Sequence, residues 1–201
     1  MAPRGRLITI EGIDGAGKTT LAEALVRERP ELVVLREPGG VAVSERIRML
    51  VKDPALTVDP RAEALLYAGA RAQLVHERLL PLLESGATVL LDRFVDSSLA
   101  YQGAGRGLGV QEIAELNRFA TAGLVPELTL YIRIEPELSA TRRDGEDRLE
   151  QEAEAFFTAV VGAYDAIAAA EPERVVVLDG TAAPDDVLAR ALEALSRLDA
   201  P

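Results

Sequence analysis

The residues best suited to chemistry in this sequence lie near its start, in a glycine-rich segment that ends in lysine and threonine. From Gly12 to Thr19 the sequence reads GIDGAGKT. It matches the pattern G-x-x-x-x-G-K-[ST], whose backbone N–H groups wrap a phosphate. The glycines permit that backbone, Lys18 supplies a mobile cation, and the Thr19 hydroxyl can bind magnesium. The segment therefore predicts a site for a nucleoside triphosphate with Mg²⁺.

The elements around this segment provide the structural context that the motif requires. A β-branched run, Leu7–Ile10, precedes it, and a segment of helical period, Thr19–Arg29, follows it. A strand that turns into a helix aims the positive end of that helix at the phosphates. We expect these residues to bind the triphosphate: Gly12, Ile13, Asp14, Gly15, Ala16, Gly17, Lys18, Thr19 and Thr20.

Short apolar runs that indicate buried strands alternate with longer segments of helical period. The runs are Leu7–Ile10, Leu32–Leu35, Thr88–Leu91, Leu128–Ile132 and Val175–Leu178. This alternation predicts βαβ units, hence an α/β fold with a five-stranded, mainly parallel sheet. No linker or repeat divides the sequence, so we expect one domain over 1–201. Tyr101–Val110 and Arg142–Arg148 lack a clear period, and we expect mobile loops over a site there.

Composition and charge argue against several classes of partner. The net charge of −11 disfavours a bulk nucleic-acid binder, because such proteins carry a basic face. The sequence has no cysteine, which excludes disulfides and zinc sites built on thiolates. The first apolar run, which ends before Glu11, is too short for a signal-peptide core or a membrane span. We expect a cytoplasmic protein without nucleic-acid or membrane partners.

Among proteins with this phosphate motif, the sequence favours a small kinase. A GTPase needs an Asn/Thr-Lys-x-Asp motif to read guanine, but the only lysines are Lys18 and Lys52 and the only asparagine is Asn117. A small kinase must hold two polyanions in line and exclude water, which requires cations from several segments. Arginine suits this role because its planar fork binds phosphate through two hydrogen bonds. The candidates are Arg36, Arg48, Arg71, Arg93, Arg142, Arg143 and Arg148.

Several segments, taken in order after the phosphate motif, resemble the bacterial thymidylate kinases. They are Arg36–Gly40 (REPGG), Ala62–Gln73 (AEALLYAGARAQ), Asp92–Gly103 (DRFVDSSLAYQG), Pro126–Tyr131 (PELTLY) and Asp147–Glu150 (DRLE). The resemblance extends from the first strand to the last helix, and the third segment is its most specific part. It implies a three-layer P-loop nucleoside monophosphate kinase fold that transfers a phosphoryl group from ATP, with Mg²⁺, to dTMP. It also implies a homodimer.

The resemblance assigns roles to particular residues of this sequence. Arg93 would hold the dTMP phosphate, and Asp92 or Asp14 would position magnesium and its waters. Glu37 and Arg48 would line the acceptor side. Around the nucleoside, Tyr67 would stack its ring on thymine, and Arg71 would donate a hydrogen bond to a base carbonyl. Ser97 and Ser98 would contact the edge of the base, and Tyr101 and Gln102 would lie beside the sugar.

A lid over about 141–150 is a further implication of the resemblance. Relatives with glycine at the position of Gly15 usually supply a catalytic arginine from this lid, so Arg142 or Arg143 would close over the γ-phosphate. The lid is shorter than in some relatives and carries fewer arginines, which leaves both candidates open. Arg148 is the arginine of the DRLE segment.

The sequence also leaves other functions open. One alternative is a kinase for another acceptor, such as dUMP or a different nucleoside monophosphate, because Tyr67, Arg71 and the two serines favour a pyrimidine without specifying its 5-methyl group. Another is a regulatory protein that binds nucleotide but catalyses its reaction poorly. The short lid favours this alternative. Turnover measured beside ligand binding separates these cases.

Overall fold

The structure, a computed structural model, describes residues 4–143 and 148–199. Its sheet is parallel throughout, with the strand order β2-β3-β1-β4-β5. The strands are β1 (Leu7–Glu11), β2 (Val33–Arg36), β3 (Val89–Asp92), β4 (Leu128–Arg133) and β5 (Val175–Asp179). The predicted five-stranded parallel sheet is confirmed.

Each strand ends one residue later than its apolar run, on a charged side chain. These residues are Glu11, Arg36, Asp92, Arg133 and Asp179. Because all the strands run in the same direction, their carboxyl ends meet at one edge of the sheet, where open α/β folds bind ligands. The edge therefore carries charge at the end of every strand.

Helices lie between the strands in the described part of the chain. They are α1 (Lys18–Glu28), α2 (Ala42–Lys52), α3 (Pro60–Leu74), α4 (Leu80–Glu84), α5 (Val95–Ser98), α6 (Val110–Ala120), α7 (Pro136–Arg142), α8 (Glu154–Ala170) and α9 (Pro184–Asp199). A π-helical segment, Val75–Leu79, joins α3 to α4, and a second one, Leu99–Gly105, extends α5. No helix among the described residues is both long and apolar enough to cross a membrane.

The π-helical segment after α5 differs from the irregular loop that the sequence predicts. Tyr101 and Gln102 are buried within it. A side chain at Gly105 would lie 2.6 Å from the ring of Phe156 on α8, and one at Gly103 would lie 3.1 Å from the α6 backbone. The small residues that suggested flexibility instead permit close helix packing, because a larger side chain would collide with the neighbouring elements.

The core lies on both faces of the sheet, because successive strand residues point to opposite sides. In β3, Leu90 joins one apolar cluster, whereas Val89 and Leu91 join another. Helices α1, α8 and α9 contribute to the first cluster, and α3 and α4 to the second. Helices therefore cover both faces of the sheet, which is the predicted three-layer α/β arrangement.

Candidate active site

The phosphate loop connects β1 to α1 through backbone turns that glycine adopts most easily. Gly12 and Gly15 have φ angles of 139° and 77°. A Cβ on Gly12 would lie 2.5 Å from the carbonyl oxygen of Ile132, and one on Gly15 would lie 2.9 Å from Cβ of Arg142. Helix α1 begins at Lys18 without a side-chain cap. The N–H groups of its first turn are thus left for an anion.

Lys18 lies folded against this loop. Its Nζ donates hydrogen bonds to the carbonyl oxygens of Gly12 and Ile13, both at 3.0 Å, and lies 3.9 Å from Oδ1 of Asp14. Burial and the nearby charge of Arg93 lower the pKa of Lys18 to about 8, although Asp14 opposes that change. A bound triphosphate would favour the protonated amine through its negative charge.

Arg93 follows β3 directly and joins the phosphate loop to the other side of the cleft. It adopts a left-handed backbone conformation with φ of 67°, and Nη1 donates to the carbonyl oxygen of Gly12 at 3.0 Å. Nη2 donates to Oδ1 of Asp14 at 2.6 Å, and the guanidinium lies 5.1 Å from the centre of the Tyr101 ring. Burial alone would raise the pKa of Asp14, but Arg93 and Lys18 more than offset it and hold that pKa well below its usual range.

Glu11, the last residue of β1, supports the turn after β3 and was not among the predicted site residues. Its Oε1 accepts a hydrogen bond from the backbone N–H of Phe94 at 2.7 Å. Its Oε2 accepts from the hydroxyls of Ser97 at 2.6 Å and Tyr164 at 2.8 Å. Burial raises the pKa of Glu11. The available signal was a carboxylate directly after an apolar strand run, at the edge where parallel strands place their ligands.

The predicted magnesium ligands Thr19 and Asp92 line the same cleft, and their donor atoms fit the ion. Oδ1 of Asp92 is buried and has no hydrogen-bond partner among the described residues, and Thr19 is exposed along the cleft. An oxygen in that state suits a hard cation or one of its waters. Asp14 fits less well, because its two oxygens accept hydrogen bonds from Arg93 and the hydroxyl of Tyr101.

Arg71 of α3 is almost completely buried, and its guanidinium binds several elements at once. Nε donates to Oε2 of Glu37 at 2.7 Å, and Nη2 donates to the carbonyl oxygen of Phe94 at 2.8 Å. Nη1 donates to the hydroxyl of Ser98 at 2.8 Å and to Oδ1 of Asn117. A guanidinium has five N–H groups, so these four hydrogen bonds, the ones Arg71 makes within the described residues, leave one N–H for a ligand.

Glu37 and Arg48 line the cleft beside Arg71. Burial raises the pKa of Glu37 to about 7, although Arg71 opposes that change. Oε1 of Glu37 is buried, and no described residue donates a hydrogen bond to it. Nη1 of Arg48 donates to the carbonyl oxygen of Pro38 at 3.0 Å. Oε1 of Glu37 is therefore left to a ligand, on a wall that Arg48 also lines.

A cavity of about 960 Å³ connects the phosphate loop to this wall. The predicted acceptor residues all line it: Glu37, Arg48, Tyr67, Arg71, Arg93, Ser97, Ser98, Tyr101 and Gln102. The donor side is lined by Asp14, Gly15, Gly17, Lys18, Thr19, Thr20, Asp92 and Arg142. The other predicted loop residues, Gly12, Ile13 and Ala16, are absent from the lining, and the last two are buried beneath it. The volume lies at the upper end for ligand sites, as two nucleotides would require.

Tyr67 and Ser97 also have structural contacts beside their place in the cavity lining. The ring of Tyr67 packs against the core cluster that α8 joins. The hydroxyl of Ser97 contacts Glu11, Tyr164 and Nη1 of Arg93. Ser97 therefore supports Arg93 as well as lining the cavity.

The structure separates the two candidate lid arginines. Arg142 lines the cavity, and its Nη1 donates to the carbonyl oxygen of Gly15 at 3.2 Å. Arg143 is absent from the lining; its guanidinium lies 3.7 Å from the centre of the Phe157 ring and donates to the carbonyl oxygen of Glu150. The predicted lid over 141–150 includes residues 144–147, which lie outside the described residues.

Ser139, one turn before Arg142, is a further residue that the sequence did not single out. Its buried hydroxyl donates to the carbonyl oxygen of Asp14 at 2.7 Å. A serine near the start of a short helix gives no sequence signal of such a contact. This hydrogen bond holds α7 against the phosphate loop.

Comparisons with known proteins agree with this geometry. The family model described as thymidylate kinase matches residues 10–191. A thymidylate kinase of Lactobacillus delbrueckii subsp. bulgaricus is 44% identical over 201 residues, covering 94% of this chain and 95% of the relative. One of Caldanaerobacter subterraneus subsp. tengcongensis is 47% identical over 183 residues, covering 88% of each chain.

A solved structure agrees as well. The crystal structure of thymidylate kinase from Ehrlichia chaffeensis superimposes with a TM-score of 0.80 at 28% identity, covering 96% of this chain and 99% of that one. The residues matched by the family model include both the phosphate loop and the acceptor wall. The chain belongs to the thymidylate kinase family.

Proposed function

We propose that this chain transfers the γ-phosphoryl group of ATP to dTMP, giving ADP and dTDP. Membership of the thymidylate kinase family supports this reaction. The observation that carries the proposal is the continuous cavity, which joins a phosphate loop to a polar and aromatic wall. Phosphoryl transfer requires two polyanions held in line in a site that excludes water, and such a cavity can hold both.

On the donor side, the backbone N–H groups at the start of α1 and the amine of Lys18 would bind the ATP phosphates. Lys18 would move from the carbonyl oxygens of Gly12 and Ile13 toward the phosphate oxygens. Arg142 would neutralise charge that develops on the transferred group, because its contact with Gly15 places it beside the loop. These residues stabilise charge, and the reaction needs little proton chemistry from the protein.

On the acceptor side, Arg93 would bind the dTMP phosphate while its contact with Asp14 keeps the guanidinium beside the loop. Tyr67 would stack on thymine, and the remaining N–H of Arg71 would donate to a base carbonyl. Tyr101 and Gln102 would lie beside the deoxyribose. The support for these roles is that all five side chains line the cavity.

Thr19 and Asp92 would hold Mg²⁺, either directly or through its waters. The support is the buried Oδ1 of Asp92, which accepts no hydrogen bond within the part of the chain that the structure describes. Bound there, Mg²⁺ would neutralise charge on the β- and γ-phosphate oxygens.

The test is ADP production from ATP and Mg²⁺ with dTMP, dUMP, UMP, dCMP, AMP and GMP, each against a blank without acceptor. Strong turnover with dTMP, weaker turnover with dUMP and none above the blank for the others is the expected result. Preference for another acceptor would overturn the assigned nucleobase contacts. Tight ATP binding without turnover for any acceptor would instead indicate a regulatory protein.

We also propose that the chain forms a homodimer. Large apolar side chains are exposed on α2 and α3: Val43, Met49, Leu50 and Leu65. Burial of such side chains in an interface would remove apolar surface from water. Light scattering at several protein concentrations tests the stoichiometry, and a single monomer mass throughout would contradict it. The expected cytoplasmic location stays a prediction.

A further inference from the structure

Glu63, in the first turn of α3, is a charged side chain with no exposed surface and no part in the roles described above. Its side chain is 0% exposed. Burial alone would raise the pKa of Glu63, but hydrogen bonds from Arg106, Gln102 and Arg148 more than offset it, so the pKa lies below its ordinary value. A buried carboxylate in this state is ionised, and it is stable only because donors surround it.

Donors from two other parts of the chain converge on this one carboxylate. Nε2 of Gln102 and Nε of Arg106 donate to Oε1 at 2.9 and 3.2 Å. Nη2 of Arg106 and Nη2 of Arg148 donate to Oε2 at 3.0 and 2.5 Å. Gln102 belongs to the π-helical segment Leu99–Gly105, Arg106 follows it, and Arg148 lies in the turn before α8.

Arg148 connects the carboxylate to the end of α2. Its backbone N–H donates to the carbonyl oxygen of Lys52 at 3.2 Å, and its Nε donates to that of Val51 at 3.1 Å. These carbonyl groups belong to the last turn of α2, where the C=O groups of a helix have no N–H partner within the helix. One arginine thus ties the C-terminal end of α2 to the first turn of α3.

Each element joined at Glu63 also contributes to the wall of the cavity. Gln102, Lys52 and Leu149 line it. Gln102 binds the carboxylate directly, Lys52 accepts a hydrogen bond from its partner Arg148, and Leu149 follows Arg148 in the chain. On α3, Glu63 lies four residues before Tyr67, which precedes Arg71 by the same interval, so the three share a helix face. The carboxylate therefore lies in line with the two residues proposed to recognise thymine.

We propose that Glu63 is a positioning residue that fixes the acceptor end of the cavity by binding Gln102, Arg106 and Arg148 at one carboxylate. Among the described residues, the hydrogen-bond partners of the Glu63 side chain are Gln102, Arg106 and Arg148, and none of them belongs to the phosphate loop. We therefore expect its loss to impair the use of dTMP and to leave the ATP site in place. This inference rests on the proposed function, because dTMP is the ligand whose pocket Glu63 would order.

The test compares Glu63→Gln, Arg148→Met and the double variant with the wild type. We expect kcat/KM for dTMP to fall on the order of 10- to 100-fold in each single variant, because a small displacement of a positioned substrate has effects of that size. The dissociation constant for ATP, measured by calorimetry without acceptor, is expected to stay within about twofold. The double variant is expected to lose little more than either single one, because both changes break the same contact.

Glu152→Gln is the matched control. Glu152 pairs with Nη1 of Arg106 at 2.6 Å and is 28% exposed, so this change removes a carboxylate from the same group of charges without touching Glu63. Its kinetics are expected to match those of the wild type. Melting temperatures measured for every variant show how much of any change is loss of stability.

Several outcomes would overturn the inference. One is additive losses in the double variant, which would mean that Glu63 and Arg148 act independently and not through their contact. Another is a parallel rise in KM for ATP and dTMP with a lower melting temperature, which is what a purely structural role predicts. If Glu63→Gln does not fold, Arg148→Met decides: it leaves Glu63 paired with Arg106, and an unchanged KM for dTMP in it would contradict the proposal. Absence of dTMP turnover in the wild type would instead overturn the proposed function, and this inference with it.

Discussion

Nη2 of Arg93 lies 2.6 Å from Oδ1 of Asp14, which joins the residue after β3 to the middle of the phosphate loop across 79 positions of the chain. The left-handed backbone of Arg93 is sterically costly for a residue with a side chain. Glu11 supports this turn by accepting the N–H of Phe94. The contact keeps a cation between the sites proposed for the two substrates.

Replacement of Arg93 tests that contact. Arg93→Lys keeps the charge but loses the forked geometry that binds two acceptors. We expect kcat/KM for dTMP to fall by about 100-fold or more in Arg93→Lys and further in Arg93→Ala. Loss of a single donor that stabilises charge in the transition state has an effect of this size. The assay is ADP production. The control is Arg197→Ala, which removes an exposed arginine paired with Glu193 and should have no effect. Wild-type rates in Arg93→Lys would contradict the assignment.

Replacement of the two lid arginines should cause different defects, one in the rate of the reaction and the other in stability. Arg142→Ala is expected to lower kcat by on the order of 100-fold or more without weakening ATP binding, because it removes the donor proposed to neutralise charge on the transferred group. Arg143→Ala should leave kcat near the wild-type value but lose about 1 kcal/mol of stability, since it removes the contact with the Phe157 ring. Single-turnover kinetics and urea unfolding measure the two effects. The reverse pattern would show that Arg143 is the catalytic one.

Asp92→Asn should raise the concentration of free Mg²⁺ needed for half-maximal turnover by roughly tenfold or more. The reason is that the buried Oδ1 of Asp92 accepts no hydrogen bond from residues 4–143 and 148–199, and an amide at this position would bind a cation or its waters more weakly. Asp179→Asn is the control, because that carboxylate also ends a strand but accepts hydrogen bonds from Thr181. An Mg²⁺ requirement that is the same in both variants would rule out this role for Asp92.

Glu37→Gln should change how stability depends on pH. Burial raises the pKa of Glu37 from 4.5 to about 7. A carboxyl with a raised pKa stabilises the fold below its unfolded-state value, and that contribution is lost as the pH rises through the folded-state value. The wild-type free energy of unfolding should therefore decline relative to that of Glu37→Gln between pH 4.5 and 7, by at most about 3 kcal/mol. Urea titrations at pH 5 and pH 8 measure this difference. A difference between the two proteins that is constant with pH would contradict the raised pKa.

The sequence by itself determined the parts of the protein that depend on local pattern. Short apolar runs separated by helical segments predicted all five strands, because burial on both faces of a parallel sheet requires such runs. The glycines of GIDGAGKT predicted the phosphate loop, because few other residues adopt its backbone. The family resemblance identified acceptor residues that the structure brings to one cavity, since parallel strands end at a common edge.

Only the tertiary structure decided which polar groups meet. The sequence could not distinguish Arg142 from Arg143, because adjacent side chains point in different directions that depend on the packing of α7 and α8. Nor did it reveal the partners of Glu11 or Glu63, because their donors come from segments that are distant in the chain. A hydrogen bond requires its two atoms within about 3 Å, and a one-dimensional pattern carries no information about distances of that size between remote segments.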